Sequence, residues 1–187
     1  LGATIPALGG RTVWLTSSWR MAQALAAVIN ENARGAEAFR HDGISGVAHP
    51  DSAELNARAK TYLQNIGGFL SSREAEDHLV RLKLLQAPFA ETTFPGDATA
   101  EIRRVLRRAL PGTGDADLLL APSGMNAIYA AFRASAGLQA ERGRTVWLQL
   151  GWLYLDTIAI LKKFTNAPAD YVYVRDPLDQ AAIERIA

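Results

Sequence analysis

The residues best suited to chemistry are Ser123, Gly124 and Met125, which lie between an apolar run and an alanine-rich stretch. A strand that ends at a small residue and glycine and then turns into a helix directs unpaired backbone N–H groups at one point, where the helix dipole favours an anion. The pattern predicts a phosphate seat at Gly124 and Met125. The alternative from the residues alone is that Ser123 is only an N-cap and Met125 only a core residue.

A second junction of this kind follows at Gly151 to Thr157, where Tyr154 precedes a predicted helix. Both junctions would lie at the same edge of a parallel sheet. One could then hold a phosphate while Tyr154 stacks on the ring of the same cofactor and transfers a proton. The alternative is an ordinary interfacial tyrosine. Asp156 and Thr157 are expected to shape the first turn of their helix.

The two segments resemble the Cys/Met-metabolism enzymes that use pyridoxal 5′-phosphate, and particularly their fungal-type cystathionine γ-synthase branch. Ser123 to Ile128 is similar to the branch's (Ser or Pro)-Gly-Met-x-Ala-Ile, and Gly151 to Thr157 is similar to its Gly-Phe-Pro-Tyr-x-Asp-Thr. The opening Leu1 to Pro6, followed by Trp19, looks like the start of that branch. The resemblance touches the whole chain and is specific around the two junctions.

The resemblance implies a fold-type I enzyme in which Ser123, Gly124 and Met125 bind the cofactor phosphate. It also implies that Tyr154 stacks on the cofactor ring and acts in catalysis. The implied reaction is replacement of the acyl group of an O-acylhomoserine by a thiol, in a cytoplasmic homodimer or homotetramer. A related C–S lyase would need the same seat, so replacement and elimination are not separated.

The chain departs from the family at a tyrosine and arginine pair that clamps the phosphate of the neighbouring subunit. If His49 marks that place, Asp42 to Ser45 supplies neither the ring nor the guanidinium, and Arg40 is out of register. Loss of a bidentate cation removes a strong contact to phosphate. A non-catalytic relative or assembly module is therefore the rival hypothesis. An unrelated α/β module that binds a nucleotide or phosphosugar at Ser123 is another.

The second departure is the nucleophile, because pyridoxal chemistry requires a Schiff-base lysine and an acid beside the ring nitrogen. The chain has only Lys60, Lys83, Lys162 and Lys163. The first two are predicted to lie in amphipathic helices, and the last two are placed like solvated charges near a helix C-terminus. In the family both groups come later than Ala187 allows. The chain is therefore predicted to be the first part of a longer enzyme and to be inactive alone.

Bulk properties exclude several other classes of function. The net charge is +1 and there is no cysteine, so neither a field that gathers nucleic acid nor a thiolate zinc site is expected. No apolar run approaches the ~18 residues of a membrane span. The three histidines, His41, His49 and His78, lack metal-ligand spacing. No nucleic acid, membrane or metal partner is predicted.

The elements that must position these residues follow from apolar periodicity. Helices are predicted from Met21 to Ile29, from Leu55 to Ile66, from a capping box at Ser71 and Glu74 to about Leu85, and from Asp97 to Ala109, with an extended stretch from Pro88 to Phe94. Residues 1–96 are thus expected to form a helical arm.

Residues 97–187 are predicted to form the first half of an open α/β domain. Short apolar runs at 118–121, 145–150 and 171–174 alternate with helical stretches. This alternation is typical of a mostly parallel sheet with helices on both faces.

Overall fold

The computed structural model describes residues 8–31 and 34–185, and these group into two compact units. One unit comprises the described parts of Leu1–Phe69 and Ser123–Ala187, and the other is Leu70–Pro122. The opening Leu1 to Pro6 lies outside the described residues. The predicted division between residues 96 and 97 stays a prediction.

An antiparallel sheet occupies the first part of the larger unit. Its strands are β1 (Arg11–Thr16), β2 (Glu37–His41) and β3 (Ile44–Pro50), in the order β1-β3-β2. The prediction of a helical arm over residues 1–96 did not include this sheet. The missed signal is the pair Asp42 and Gly43, whose φ angles of 47° and 80° form the tight two-residue turn of a hairpin.

An aromatic ring packs over the glycine of the central strand β3. Gly46 pairs with Leu15 of β1 and with Phe39 of β2. A Cβ at Gly46 would lie 2.6 Å from the Trp14 carbonyl oxygen and 2.7 Å from Cζ of Phe39. The ring of Phe39 therefore occupies the space that any larger residue at position 46 would need.

Two predicted helices are confirmed beside this sheet, α1 (Trp19–Asn30) and α2 (Ala53–Ile66). Ser18 and Ser52 are their N-caps, each accepting a hydrogen bond from a backbone N–H of the first turn. Their apolar faces form a core with one residue of β3. Its fully buried members are Ala22, Leu25, Ile29, Val47, Ala59 and Leu63.

The smaller unit contains α3 (Ser72–Arg81) and α4 (Ala98–Ala109). The capping box between Ser71 and Glu74 is confirmed, and so is the Asp97 cap of α4. Helix α3 ends before the predicted Leu85, because Lys83 adopts a φ of 58°, outside the helical region.

Two predicted extended segments of this unit form no strand. Pro88 to Phe94 pairs with nothing in the described part of the chain. The strand predicted at Leu118 to Ala121 is also wrong, since only a short 3₁₀ turn, Asp115–Asp117, precedes an irregular segment. Leu119 is 91% exposed. A strand needs a backbone partner, and none of the described segments pairs with this one.

The remainder of the larger unit has α/β character, as predicted. It consists of α5 (Gly124–Ala140), β4 (Trp147–Leu150), α6 (Leu155–Phe164), β5 (Tyr171–Val174) and α7 (Gln180–Glu184). Strands β4 and β5 are parallel and are joined by α6, which confirms one βαβ unit. Phe132, Ile160 and Leu161 form its buried centre. No helix of the described residues is long and apolar enough to cross a membrane.

Candidate functional site

The first turn of α5 carries the predicted phosphate seat. Ser123 is extended (φ −150°, ψ 160°), and its Oγ accepts a hydrogen bond of 3.2 Å from the N–H of Asn126. Its carbonyl oxygen accepts one of 3.0 Å from Ala127. Within the described part of the chain, the N–H groups of Gly124 and Met125 have no hydrogen-bond partner. Ser123 is thus an N-cap that leaves two donors available.

The space beside these donors is open. A Cβ built on Gly124 would have no heavy atom within 4 Å. The side chain of Met125 packs against the cluster of Phe132, Ile160 and Leu161. Met125 is therefore part of the apolar packing, as the alternative interpretation held, while its backbone N–H remains available. The two roles are compatible because they use different atoms.

The end of α2 contacts this turn, which sequence reasoning missed. The side-chain amide of Asn126 donates a hydrogen bond of 3.1 Å to the carbonyl oxygen of Ile66. A Cβ at Gly67 would lie 2.3 Å from Oγ of Ser123.

Tyr154 lies at the N-cap position of α6, directly after the turn that ends β4. Its side chain is 66% exposed and makes no capping hydrogen bond to the helix. A hydrogen bond to the Asp156 carboxylate, together with its charge, raises the pKa of the Tyr154 phenol. Gly151 opens the turn with a φ of 67°, and its N–H donates to the Val174 carbonyl at 2.8 Å.

The two predicted halves of the site belong to one compact unit. Met125 of the seat and Leu153, next to Tyr154, pack on the same buried cluster. No hydrogen bond or ring contact among the described residues joins Tyr154 to the seat. That Tyr154 and the amides of Gly124 and Met125 face one hollow stays a prediction.

The segment compared above with the family's clamp contains the hairpin turn of the antiparallel sheet. Asp42 and Gly43 are its two central residues. The guanidinium of Arg40 lies over the ring of Trp19, 5.2 Å from its centroid. His49 is fully buried and accepts a hydrogen bond of 3.1 Å from Nε1 of Trp14. These contacts give Arg40 and His49 structural roles.

Lys60 lies in α2 as predicted, and Lys162 and Lys163 lie in the last turn of α6 as predicted. Lys83 was predicted in a helix but follows the end of α3. Lys60, Lys83, Lys162 and Lys163 are all exposed, and the ammonium of Lys162 lies 5.7 Å from the centroid of the Tyr171 ring. Among the described residues, no group of three or more histidines and carboxylates could hold a metal ion. The candidate groups that remain are the backbone N–H groups of Gly124 and Met125 and the phenol of Tyr154.

The chain is similar to one characterised enzyme. It is 40% identical over 183 residues to the L-2-amino-4-chloropent-4-enoate dechlorinase/desaturase of Streptantibioticus cattleyicolor. The alignment covers 96% of this chain and 36% of that enzyme, so the chain spans little more than a third of the relative's length. No protein-family model matches the chain, and no solved structure matches it.

Proposed function

We propose that the full-length protein is a pyridoxal-phosphate-dependent enzyme acting on an amino acid that carries a leaving group on its γ-carbon. The observation that carries this proposal is the 40% identity across 96% of the chain. The family that the sequence resembles uses pyridoxal phosphate, and the similar enzyme is named as a dechlorinase/desaturase of an amino acid. The name of its substrate places chlorine on C4, which is the γ-carbon of an α-amino acid. An O-acylhomoserine carries its acyl group at the same carbon.

The start of α5 has the features that a phosphate requires. Two unpartnered N–H groups, on Gly124 and Met125, adjoin open space at the positive end of a helix dipole. We propose that these two amides hold the cofactor phosphate, with the Ser123 hydroxyl beside them. The fold-type I arrangement and the homodimer or homotetramer implied by the family belong to the same proposal.

When bound, pyridoxal phosphate supplies an electron sink for bonds at the substrate's α-carbon. Tyr154 would lie against the cofactor ring, and its hydroxyl would take part in proton transfer. A tyrosine phenol keeps its proton at neutral pH, and Asp156 raises the pKa of Tyr154 further. Tyr154 is therefore suited to donate a hydrogen bond or a proton to a leaving group, and Asp156 orients its hydroxyl.

Two reactions share this beginning. The leaving group can be replaced by a thiol, as in cystathionine γ-synthases, or it can be eliminated, as in a C–S lyase. The dechlorinase/desaturase name favours elimination. A non-catalytic relative is the rival. It is favoured if His49 marks the place of the family's phosphate clamp, because Asp42 and Gly43 then form a turn there. We expect the present chain to be inactive by itself, because none of its four lysines, which are all exposed, is predicted to be the Schiff-base lysine.

The test uses the full-length protein. With pyridoxal phosphate it should show a yellow absorbance band that borohydride abolishes, whereas a non-catalytic relative would stay colourless. L-2-Amino-4-chloropent-4-enoate and O-acetylhomoserine should then be supplied with and without cysteine. Release of chloride or acetate without cysteine identifies elimination, and a thioether formed only with cysteine identifies replacement. Absence of the yellow band would refute the proposal.

A further inference from the structure

We propose that α2 positions the phosphate seat through two residues, Gly67 and Asn126. The inference rests on the proposed function of the seat and concerns residues that touch neither the phosphate nor the substrate. In this proposal the end of α2 aligns the first turn of α5.

Asn126 is held by two hydrogen bonds within the protein. Its backbone N–H donates to Oγ of Ser123 at 3.2 Å, and its side-chain amide donates to the carbonyl of Ile66 at 3.1 Å. The Ile66 carbonyl belongs to the last turn of α2, where helix carbonyls lack a partner within their own helix. Asn126 therefore satisfies that carbonyl and ties the first turn of α5 to α2. Asn126 is proposed as a positioning residue, because these two hydrogen bonds connect Ser123 to the end of α2.

Gly67 is constrained in two independent ways. It caps α2 in the left-handed conformation (φ 65°, ψ 37°), which side chains other than glycine adopt at a cost. A Cβ there would also lie 2.3 Å from Oγ of Ser123 and 2.9 Å from the backbone N of Asn126. The backbone at Gly67 thus lies directly against the cap that orients the two available N–H groups.

The size of the expected displacement follows from this contact. Carbon and oxygen atoms normally approach to about 3.5 Å, so an alanine at Gly67 must move the Ser123 hydroxyl, or itself, by about 1 Å. Binding constellations tolerate about 0.5 Å before they lose their geometry. A substitution at Gly67 should therefore misdirect the N–H groups of Gly124 and Met125, although it touches neither.

The experiment compares two probes on the full-length protein, pyridoxal 5′-phosphate and pyridoxal, which lacks the phosphate. Asn126→Ala and Gly67→Ala should each weaken binding of pyridoxal phosphate by about tenfold or more, while affinity for pyridoxal stays nearly unchanged. Gly143→Ala is the matched control for backbone strain, because Gly143 has a φ of 70° but no atom within 4 Å of an added Cβ. Asn56→Ala controls for the loss of a side-chain amide, since Nδ2 of Asn56 donates a hydrogen bond of 3.1 Å to Oδ1 of Asp51.

The outcomes separate this inference from the proposed function. If the unmodified protein binds no pyridoxal phosphate, the proposed function fails and the inference fails with it. If the unmodified protein binds it and Asn126→Ala binds it as tightly, only the inference is overturned. Equal loss of both probes would also overturn it, because a general structural role does not discriminate the phosphate. Asn126→Ala adds no atom, so it keeps the test decisive should Gly67→Ala fail to fold.

Discussion

Replacement of Gly124 by alanine should stabilise the protein while it weakens binding of pyridoxal phosphate. Gly124 is the first residue of α5 and its φ is not positive, so alanine fits the backbone. The new Cβ would have no heavy atom within 4 Å. Gly-to-Ala replacements at such compatible positions stabilise proteins by about 0.4–1 kcal/mol, chiefly because they restrict the unfolded chain.

The effect on binding has the opposite sign. A Cβ in a helix tilts towards the helix N-terminus, which at Gly124 is the side where the phosphate is proposed to lie. The methyl group would hinder the approach of an oxygen to the N–H of Gly124 or Met125. Loss of one hydrogen bond to a charged group costs about 1.5–3 kcal/mol, so the dissociation constant should rise by roughly 10- to 150-fold.

Gly137→Ala is the matched control for this prediction. Gly137 lies in the same helix and also has no atom within 4 Å of an added Cβ. The Gly137→Ala substitution should raise the free energy of unfolding by a similar or larger amount, with no change in cofactor affinity. Urea unfolding without cofactor measures the stabilities, and a fluorescence titration measures the affinities. If Gly124→Ala binds pyridoxal phosphate as tightly as Gly137→Ala does, the phosphate is not held at this turn.

Three further predictions concern single side chains. Asp156→Asn should lower the pKa of Tyr154 towards its ordinary value, because the hydrogen bond to a carboxylate and the negative charge that raise it are removed; ultraviolet titration against Tyr154→Phe measures this. Phe132→Ala should destabilise the protein by about 3–5 kcal/mol, since Phe132 is 5% exposed and its ring centroid lies 4.5 Å from that of Trp147. Urea unfolding measures this loss of stability. Gly43→Ala should cost about 1–2 kcal/mol because the turn holds Gly43 at a φ of 80°, which the same assay detects.

Each of these predictions has a contrary result. A Tyr154 pKa that stays the same in Asp156→Asn would show that the carboxylate does not interact with the phenol in solution. A loss below about 1 kcal/mol for Phe132→Ala would mean that its cluster is not a tightly packed core. A neutral Gly43→Ala would mean that the hairpin turn is not formed as described.

Features governed by neighbours in sequence were predicted well. The capping box of Ser71 and Glu74, the Asp97 cap of α4 and the helix start at Ser123 all depend on side chains that bond to a backbone N–H three residues away. Such signals are complete within one turn of the chain. They could therefore be read before any tertiary structure was known, and so could the α6 crossover between β4 and β5.

Features that depend on distant partners were predicted poorly. The strand expected at Leu118 to Ala121 has the right residue types, but pairing requires a second segment that the described residues do not provide. The antiparallel sheet was missed although Asp42-Gly43 is a strong hairpin signal, because helical periodicity on either side of it dominated the interpretation. The contact of Gly67 with Ser123 joins the end of one helix to the start of another, and no local pattern reports it.

The glycine of the central strand also decides how the antiparallel sheet can align. Only Gly46 leaves room for the ring of Phe39, and its neighbours Ser45 and Val47 are both buried. If β2 slid by one residue, the Phe39 ring would meet the side chain of Ser45 or Val47. The side chains of β2 would also exchange faces of the sheet. A hairpin in the wrong register is thus destabilised in two ways, so the pairing of Phe39 with Gly46 favours one register over the others.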